Sequence, residues 1–123
     1  MSMDRQGILI VEDQMLLAMD LSMSLEREGF QALGPCASVD AALEVLAEAT
    51  PKAAILDVNL GSGTTSEPIA AELARRKVPF AFLTAYSRDI PIMDTFPDAL
   101  FEDKPVNDMK LRKLLDGLVP SEG

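Results

Sequence analysis

The sequence contains no histidine and no tryptophan, and it has only one cysteine and one tyrosine among its 123 residues. Without histidine, the chain itself can supply neither an imidazole metal ligand nor a histidine-based catalytic triad, and it cannot act as a histidine phosphodonor. A single cysteine, Cys36, cannot form an internal disulfide, a usage that fits a reducing compartment. These absences exclude several catalytic classes and a disulfide-stabilised fold.

Positive charge and long apolar runs are also scarce. The chain has 11 Lys+Arg against 20 Asp+Glu, and its net charge of −9 argues against binding nucleic acid or an anionic membrane through a basic surface. The first apolar run, residues 8–11, is too short for a signal peptide, and no run approaches the roughly 18 residues of a membrane span. Because 48% of the residues are hydrophobic, we expect one soluble, cytoplasmic domain with a real core.

Short apolar runs alternate with helical patterns along the chain. The runs predict buried parallel strands at residues 8–11, 30–35, 53–56, 80–83 and 99–101. Apolar residues at helical spacing predict helices at residues 14–28, 40–49, 68–76 and 108–118. Gly29 is a natural end for the first helix, and Ser38 and Asn107 are plausible caps for the second and the last. Pro91 and Pro97 confine any helix between the last two strands to one or two turns.

The order of these elements predicts the fold class. Strands that alternate with helices form a parallel sheet with helices on both faces. At this length we expect an α/β, flavodoxin-like (βα)5 doubly wound sheet of strand order 2-1-3-4-5, with a short or irregular fourth helix. We expect residues 1–123 to form a single domain whose core spans about residues 7–118.

Polar side chains follow four of the predicted strands, where ligands bind in such sheets. Glu12 and Asp13 follow the first strand, Asp57 the third, Thr84 the fourth and Lys104 the fifth. Taken singly, each has an ordinary explanation: Asp13 as a helix cap, Glu12 and Lys104 as solvated charges, and Asp57 and Thr84 as turn or strand-end residues. Four strand ends carrying these matched residue types are hard to assign to chance.

The chemistry of this set favours a metal ion and a phosphoryl group. Two like charges about 4 Å apart repel by roughly 4 kcal/mol at an effective dielectric constant of 20, so clustered carboxylates take up protons or hold a cation. An all-oxygen site suits Mg²⁺, with Mn²⁺ as a substitute. A metal, a lysine and a hydroxyl would together orient a transferring phosphoryl group, and an ionised carboxylate can attack it without a general base.

The chain resembles the receiver domain of two-component response regulators over about residues 7–118. The matching segments are Ile-Leu-Ile-Val-Glu-Asp at residues 8–13, Ile-Leu-Asp-Val-Asn-Leu at 55–60, Phe-Leu-Thr-Ala at 82–85, and Lys-Pro at 104–105. The segment 79–86 is similar to a single-domain subgroup named for its Phe-Ala-Thr-Gly signature (FATGUY), although Leu83 and Ala85 replace that signature's Ala and Gly. The loop after Asp57 lacks the family's frequent Met-Pro, and Val106 replaces its frequent Phe.

The resemblance implies a role for each matching residue. Asp57 would accept a phosphoryl group from a phosphohistidine on a partner protein. Glu12 and Asp13 would hold Mg²⁺, Glu12 through water, together with Asp57 and the backbone carbonyl of Asn59. Lys104 would pair with the phosphoryl group. Further roles implied by the family are those of the switch residues Thr84 and Phe101 and of the residues that tune hydrolysis, Asn59 and Tyr86.

The resemblance also implies a function and partners. The chain would be a phosphoacceptor of a two-component or phosphorelay system, catalysing only its own phosphorylation and dephosphorylation. Its donor would be a sensor histidine kinase or a histidine phosphotransfer protein. We expect a stand-alone regulator without an output domain, monomeric or weakly dimeric, whose downstream partner the sequence does not name. Its fourth helix, fifth strand and fifth helix would form the partner face, although a core position is favoured slightly for the apolar residues Ile90, Ile92, Met93 and Phe96.

Other functions stay open from the residues alone. The main alternative is a receiver-like adaptor that binds partners without being phosphorylated. A small phosphohydrolase with Asp57 as nucleophile is disfavoured because Asn59 stands where a second acid is expected. An FMN-binding flavodoxin is disfavoured by the acidic rim of the sheet.

Overall fold

Five parallel strands alternate with five helices in the computed structural model, which describes residues 6–61, 63–85 and 90–120. The strands are β1 (Gly7–Val11), β2 (Gln31–Cys36), β3 (Ala53–Asp57), β4 (Phe80–Thr84) and β5 (Leu100–Asp103). The helices are α1 (Met15–Arg27), α2 (Val39–Glu48), α3 (Glu67–Arg75), α4 (Ile90–Thr95) and α5 (Asp108–Leu118). The strand order β2-β1-β3-β4-β5 confirms the predicted doubly wound sheet.

The sheet is buried on both faces because its central strands are apolar throughout. On one face, Leu9, Leu56 and Phe82 pack against α2, α3 and α4. On the other face, Ile10 and Ile55 pack against α1 and α5. Successive residues of a strand point to opposite faces, so an uninterrupted apolar run serves both layers at once.

Local signals set most of the helix ends as predicted. Ser38 Oγ accepts a hydrogen bond from the backbone N–H of Ala41 at 3.1 Å, and Asn107 Oδ1 accepts one from Lys110 at 2.8 Å. Gly29 ends α1 with a φ of 92°, in the left-handed region that glycine adopts without strain. The fourth helix has six residues, which confirms the short helix expected between the two prolines.

Two element ends bear on the site residues. The ordinary interpretation of Asp13 as the cap of α1 is wrong, because the cap position is Gln14, whose backbone N–H donates to Glu12 Oε1 at 3.1 Å. The fifth strand begins at Leu100, one residue after the start of the apolar run, and it continues to Asp103 because its backbone pairs with β4 as far as Thr84. Strand pairing is a property of the backbone, so the strand runs through Glu102 and Asp103 and leads directly into Lys104.

Two of the four apolar residues named for the α4 region, Ile92 and Phe96, lie in or against the core, and Met93 is partly buried. Ile92 is 5% exposed, and Phe96 packs against the core that covers one face of the sheet. The core interpretation is therefore confirmed for these two residues; the side chain of Ile90 lies outside the described part of the structure. Over residues 6–61, 63–85 and 90–120, no helix has the length and apolar character needed to cross a membrane.

Replacing Phe82 by alanine should lower the free energy of unfolding by about 3 to 5 kcal/mol, the usual range for a buried phenylalanine. Phe82 is fully buried, and its ring centroid lies 5.4 Å from that of Phe80, 5.8 Å from that of Phe96 and 5.1 Å from that of Phe101. Urea unfolding followed by circular dichroism measures the change. Leu16→Ala, at a side chain that is 78% exposed, is the control and should shift the value by less than about 0.5 kcal/mol. Equal effects of the two substitutions would contradict this packing.

Candidate functional site

The carboxyl ends of four strands bring the site residues together. Glu12 directly follows β1, Asp57 ends β3, Thr84 ends β4 and Lys104 directly follows β5. The strand register places these ends at one level, since Asp57 pairs with Leu83 and the next residue, Thr84, pairs with Asp103 of β5. Parallel strands leave the sheet at the same edge, so residues far apart in sequence meet there.

Lys104 joins two buried carboxylates. Its Nζ lies 3.0 Å from Asp57 Oδ2 and 2.8 Å from Glu12 Oε2. The side chains of Glu12 and Asp57 are only 2% and 7% exposed, and that of Lys104 is 18% exposed. The ordinary interpretations of Glu12 and Lys104 as solvated charges are therefore wrong. Buried charges persist only when they are paired, and here one ammonium serves two carboxylates.

Three carboxylates of this site fit a divalent cation. Glu12, Asp13 and Asp57 each offer one oxygen, and these oxygens lie within 4.8 Å of one another. All are hard oxygen donors, the type that Mg²⁺ prefers. Two of the carboxylates are buried whereas Asp13 is exposed, so the set opens to solvent on the side of Asp13. One ammonium and three carboxylates leave the cluster short of positive charge, which a divalent cation would supply.

The loop from β3 to α3 forms one wall of the site. The backbone N–H of Leu60 donates to Thr64 O at 2.8 Å, and that of Thr64 donates to Gly61 O at 2.9 Å. Asn59 forms an isolated antiparallel bridge with Thr65. Gly61 has a φ of 85°, and a Cβ at this position would stand 3.3 Å from Asp13 Oδ2. Hydrogen bonds therefore shape the described part of this loop, and its glycine lets the backbone approach a site carboxylate closely.

The environment of Asp57 disfavours its ionised form. Burial raises the pKa of Asp57 to about 7, repulsion from Glu12 adds to the rise, and the hydrogen bond from Lys104 opposes it. Burial also lowers the pKa of Lys104, but its hydrogen bonds to Glu12 and Asp57 outweigh burial and leave that pKa raised. The Lys104 ammonium therefore stays charged, whereas the carboxyl of Asp57 gains or loses its proton at a pH of about 7.

The two predicted switch residues occupy neighbouring strands. Thr84 is 2% exposed, and its carbonyl accepts a hydrogen bond from the backbone N–H of Lys104 at 2.9 Å. Phe101 is partly buried, and its ring is tilted 31° from the ring of Phe82. Tyr86, predicted to tune hydrolysis, lies outside the described residues. The switch and tuning roles stay predictions.

Sequence reasoning missed an exposed apolar row beside the site. Met15, Leu16, Met19 and Met23 are 74%, 78%, 50% and 56% exposed, and all four lie on α1, which begins two residues after Asp13. Met15, Met19 and Met23 recur every four residues and therefore share one helix face, but spacing alone does not say which face meets the sheet. The row is therefore an apolar part of the surface that does not belong to the core.

No family model matches the chain. Its similarity is to the transcriptional regulatory protein PdtaR of Mycobacterium tuberculosis, with 30% identity over 81 residues. That match covers 66% of this chain and 40% of PdtaR, so the chain spans well under half the length of this relative.

Solved structures extend the similarity to nearly the whole chain. The solution structure of SdrG from Sphingomonas melonis is 39% identical with a TM-score of 0.79, covering 97% of this chain and 99% of that one. A CheY-like response regulator receiver domain from Methylobacillus flagellatus is 25% identical with a TM-score of 0.77, covering 94% of this chain and 99% of that one.

The fold, the carboxylate-lysine site and these similarities define a class of signalling proteins rather than of ordinary enzymes. The chain belongs to the receiver domains of response regulators of two-component signalling. A phosphoacceptor role in signalling is the general function of this class.

Proposed function

We propose that the chain is a phosphorylation-driven switch in which Asp57 accepts a phosphoryl group from a phosphohistidine on a partner. The observation that carries this proposal is the contact of Lys104 with both Asp57 and Glu12 at the carboxyl edge of the sheet. A carboxylate held beside an ammonium and two further acids is suited to phosphoryl transfer, which depends on positioning and charge neutralisation.

Transfer of the phosphoryl group from the partner's imidazole to Asp57 needs no other reactant. A carboxylate oxygen of Asp57 attacks phosphorus, forming a P–O bond as the P–N bond to the partner's imidazole breaks. The electron pair of that bond returns to the ring nitrogen, and the imidazole leaves neutral because its other nitrogen carries a proton. Lys104, held 3.0 Å from Asp57 Oδ2, is placed to pair with the phosphoryl oxygens once they arrive.

A divalent cation would be held by Glu12, Asp13, Asp57 and the backbone carbonyl of Asn59. When bound, it would neutralise charge on the phosphoryl oxygens and favour the ionised form of Asp57, whose pKa burial raises to about 7. In the acyl phosphate, Lys104 would pair with the phosphoryl group, the hydroxyl of Thr84 would move toward the phosphoryl oxygens, and Phe101 would turn inward. This movement would change partner affinity on the α4–β5–α5 side of the molecule.

Magnesium binding should depend on Asp13. Asp13→Asn removes one of three clustered charges, and we expect the affinity for Mg²⁺, measured by calorimetry, to fall at least about tenfold. Asp40→Asn, at an exposed acid in the first turn of α2, is the matched control and should bind Mg²⁺ as the wild type does. Unchanged affinity in Asp13→Asn would remove Asp13 from the metal site.

The phosphodonor would dock on the exposed row of α1, since the row is apolar and its helix begins two residues after Asp13. We expect Met19→Glu to slow phosphoryl transfer from a phosphorylated histidine protein at least about tenfold, because a charge is added to an apolar contact. Labelling by a small phosphodonor should not change. Met109→Glu, on α5 at a side chain that is 78% exposed, serves as the control. Equal slowing in both variants would exclude α1 as the docking face.

Intact-protein mass spectrometry after incubation with a small phosphodonor tests the proposed function itself. We expect the wild type to gain one phosphoryl mass only with Mg²⁺ present and Asp57→Ala to gain none. Labelling of Asp57→Ala would place the acceptor elsewhere. Absence of both labelling and Mg²⁺ binding in the wild type would favour the alternative of an unphosphorylated adaptor.

A further inference from the structure

A cavity lies at the opposite end of the sheet from the acidic site. It has a volume of about 750 Å³ and forms where β3 and β4 begin and where α3 and α5 end. Its apolar walls include Phe30, Pro79 and Leu118. This volume falls within the range of small-molecule sites, which are mostly apolar with a few charged groups.

The charge of this cavity is opposite to that of the whole protein. Lys52, Arg76 and Lys77 line it, whereas none of the described residues that line it is acidic. The chain as a whole has nearly twice as many acidic as basic residues. Basic residues are common in the last turn of a helix, where they interact favourably with the helix dipole, but that effect does not extend beyond the last turn. It cannot account for Lys52, which lies in the loop before β3. Because Arg76 is ion-paired with Glu72, Lys52 and Lys77 carry most of the positive charge that the cavity offers to a ligand.

Lys77 adopts a backbone conformation that normally belongs to glycine. Its φ is 61°, and its N–H donates to Ala74 O at 3.0 Å while that of Val78 donates to Leu73 O at 2.9 Å. Helix α1 ends with the same pair of hydrogen bonds, and there the corresponding residue is Gly29. A side chain in this region is strained, and such strain persists where the position serves another purpose. What lysine adds at this turn is an ammonium group at the cavity.

Arg76 is fixed in place before any ligand arrives. Its Nε donates to Glu72 Oε2 at 2.7 Å, and its Nη1 donates to Thr50 Oγ1 at 3.2 Å. The guanidinium is therefore held between α3 and the loop before β3. A preorganised cation loses little side-chain freedom on binding an anion.

We propose that this cavity binds a small organic phosphate of nucleotide size. Lys52 and Lys77 would contact its phosphate groups, Arg76 would add hydrogen bonds from the N–H groups that Glu72 and Thr50 do not use, and the apolar walls would cover its organic part. Several cations at one cavity favour a ligand with more than one negative charge, and the apolar walls favour a ligand with an apolar or aromatic body. The proposal does not depend on phosphorylation of Asp57, which lies at the other end of the strands.

Titration of the full chain with ATP and GTP in magnesium-free buffer, followed by NMR amide shifts, tests this proposal. We expect saturable shifts at residues lining the cavity and at least about fivefold weaker binding in Lys77→Gly and Lys52→Ala. Lys77→Gly relieves the backbone strain, so its urea unfolding midpoint should be equal or higher and loss of binding could not be attributed to unfolding. Lys113→Ala, an exposed lysine of α5 outside the cavity, should bind as the wild type does.

Three results would overturn the proposal. The first is a lack of saturation up to about 10 mM nucleotide, a range that covers even weak specific sites. The second is equal weakening by Lys113→Ala, which would indicate attraction to general surface charge. The third is inorganic triphosphate binding as tightly as ATP, which would show that the apolar walls do not contribute.

Discussion

Asp57→Asn should make the protein more stable than the wild type at pH 8, although it abolishes the proposed phosphoryl acceptor. The pKa of Asp57 is raised from 3.8 to about 7 by burial and by repulsion from Glu12. Between pH 3.8 and about pH 7, Asp57 keeps its proton in the folded protein but has released it in the unfolded chain. The free energy of unfolding therefore falls as the pH rises through this range. This rise in pKa corresponds to about 4 kcal/mol, a figure that already includes the opposing hydrogen bond from Lys104, and partial exposure of the site to solvent reduces the gain. We expect a net stabilisation of about 2 kcal/mol at pH 8.

Urea unfolding at several pH values measures this effect. The advantage of Asp57→Asn should disappear by about pH 4, where the unfolded wild-type chain also holds the proton. Asp98→Asn, at an exposed acid between α4 and β5, is the control and should change the free energy of unfolding by less than about 0.5 kcal/mol. A given concentration of Mg²⁺ should raise the stability of the wild type more than that of Asp57→Asn, because a ligand stabilises the folded state in proportion to its affinity and the variant lacks one of three carboxylates. If the difference in free energy of unfolding between Asp57→Asn and the wild type did not change with pH, Asp57 would not be a buried carboxylate that is charged at pH 8.

Removing the ammonium should have the opposite effect. Lys104→Met leaves the buried carboxylates of Glu12 and Asp57 without their shared partner, and removing one member of a buried ion pair is strongly destabilising. We expect the free energy of unfolding to fall by about 2 to 4 kcal/mol at pH 8. The loss should be smaller at pH 5, because the carboxyl of Asp57 is then protonated and needs no counter-charge.

An exposed ion pair provides the matched control for Lys104→Met. Arg27 and Asp108 lie 3.5 Å apart with side chains 58% and 61% exposed, so Arg27→Met should have little effect on stability. Lys104→Met should also slow labelling by a small phosphodonor, whereas Arg27→Met should not. If both variants lost the same stability, the buried lysine bridge would not be a stabilising contact.

The fold and the meeting of the site residues could be predicted from the sequence because both follow from chain order. Apolar runs that alternate with helical patterns leave one common sheet topology, and that topology places Glu12, Asp57 and Lys104 at one edge. Side-chain pairing was not predictable. Lys104 follows a short, partly charged strand, and only the strand register shows that its ammonium reaches both carboxylates.

The face of α1 that packs against the sheet could not be predicted from the sequence either. The sequence of α1 contains two apolar lines, one through Leu17, Leu21 and Leu25 and one through Met15, Met19 and Met23, without saying which would be buried. The structure buries Leu21 and Leu25 against the sheet, leaves Leu17 40% exposed and exposes the three methionines. Hydrophobic spacing identifies residues that share a face, whereas contact with the sheet depends on how the whole helix packs. The prediction that the chain acts without an output domain stays a prediction.

Locating the phosphoryl group tests the central claim most directly. The wild type would be labelled with a small phosphodonor and Mg²⁺, treated with borohydride to reduce any acyl phosphate to an alcohol, and digested for peptide mass spectrometry. The proposed function predicts conversion of Asp57 to homoserine and of no other residue. Reduction at Glu12 or Asp13 instead, or a phosphoryl mass on a serine or threonine, would contradict Asp57 as the acceptor.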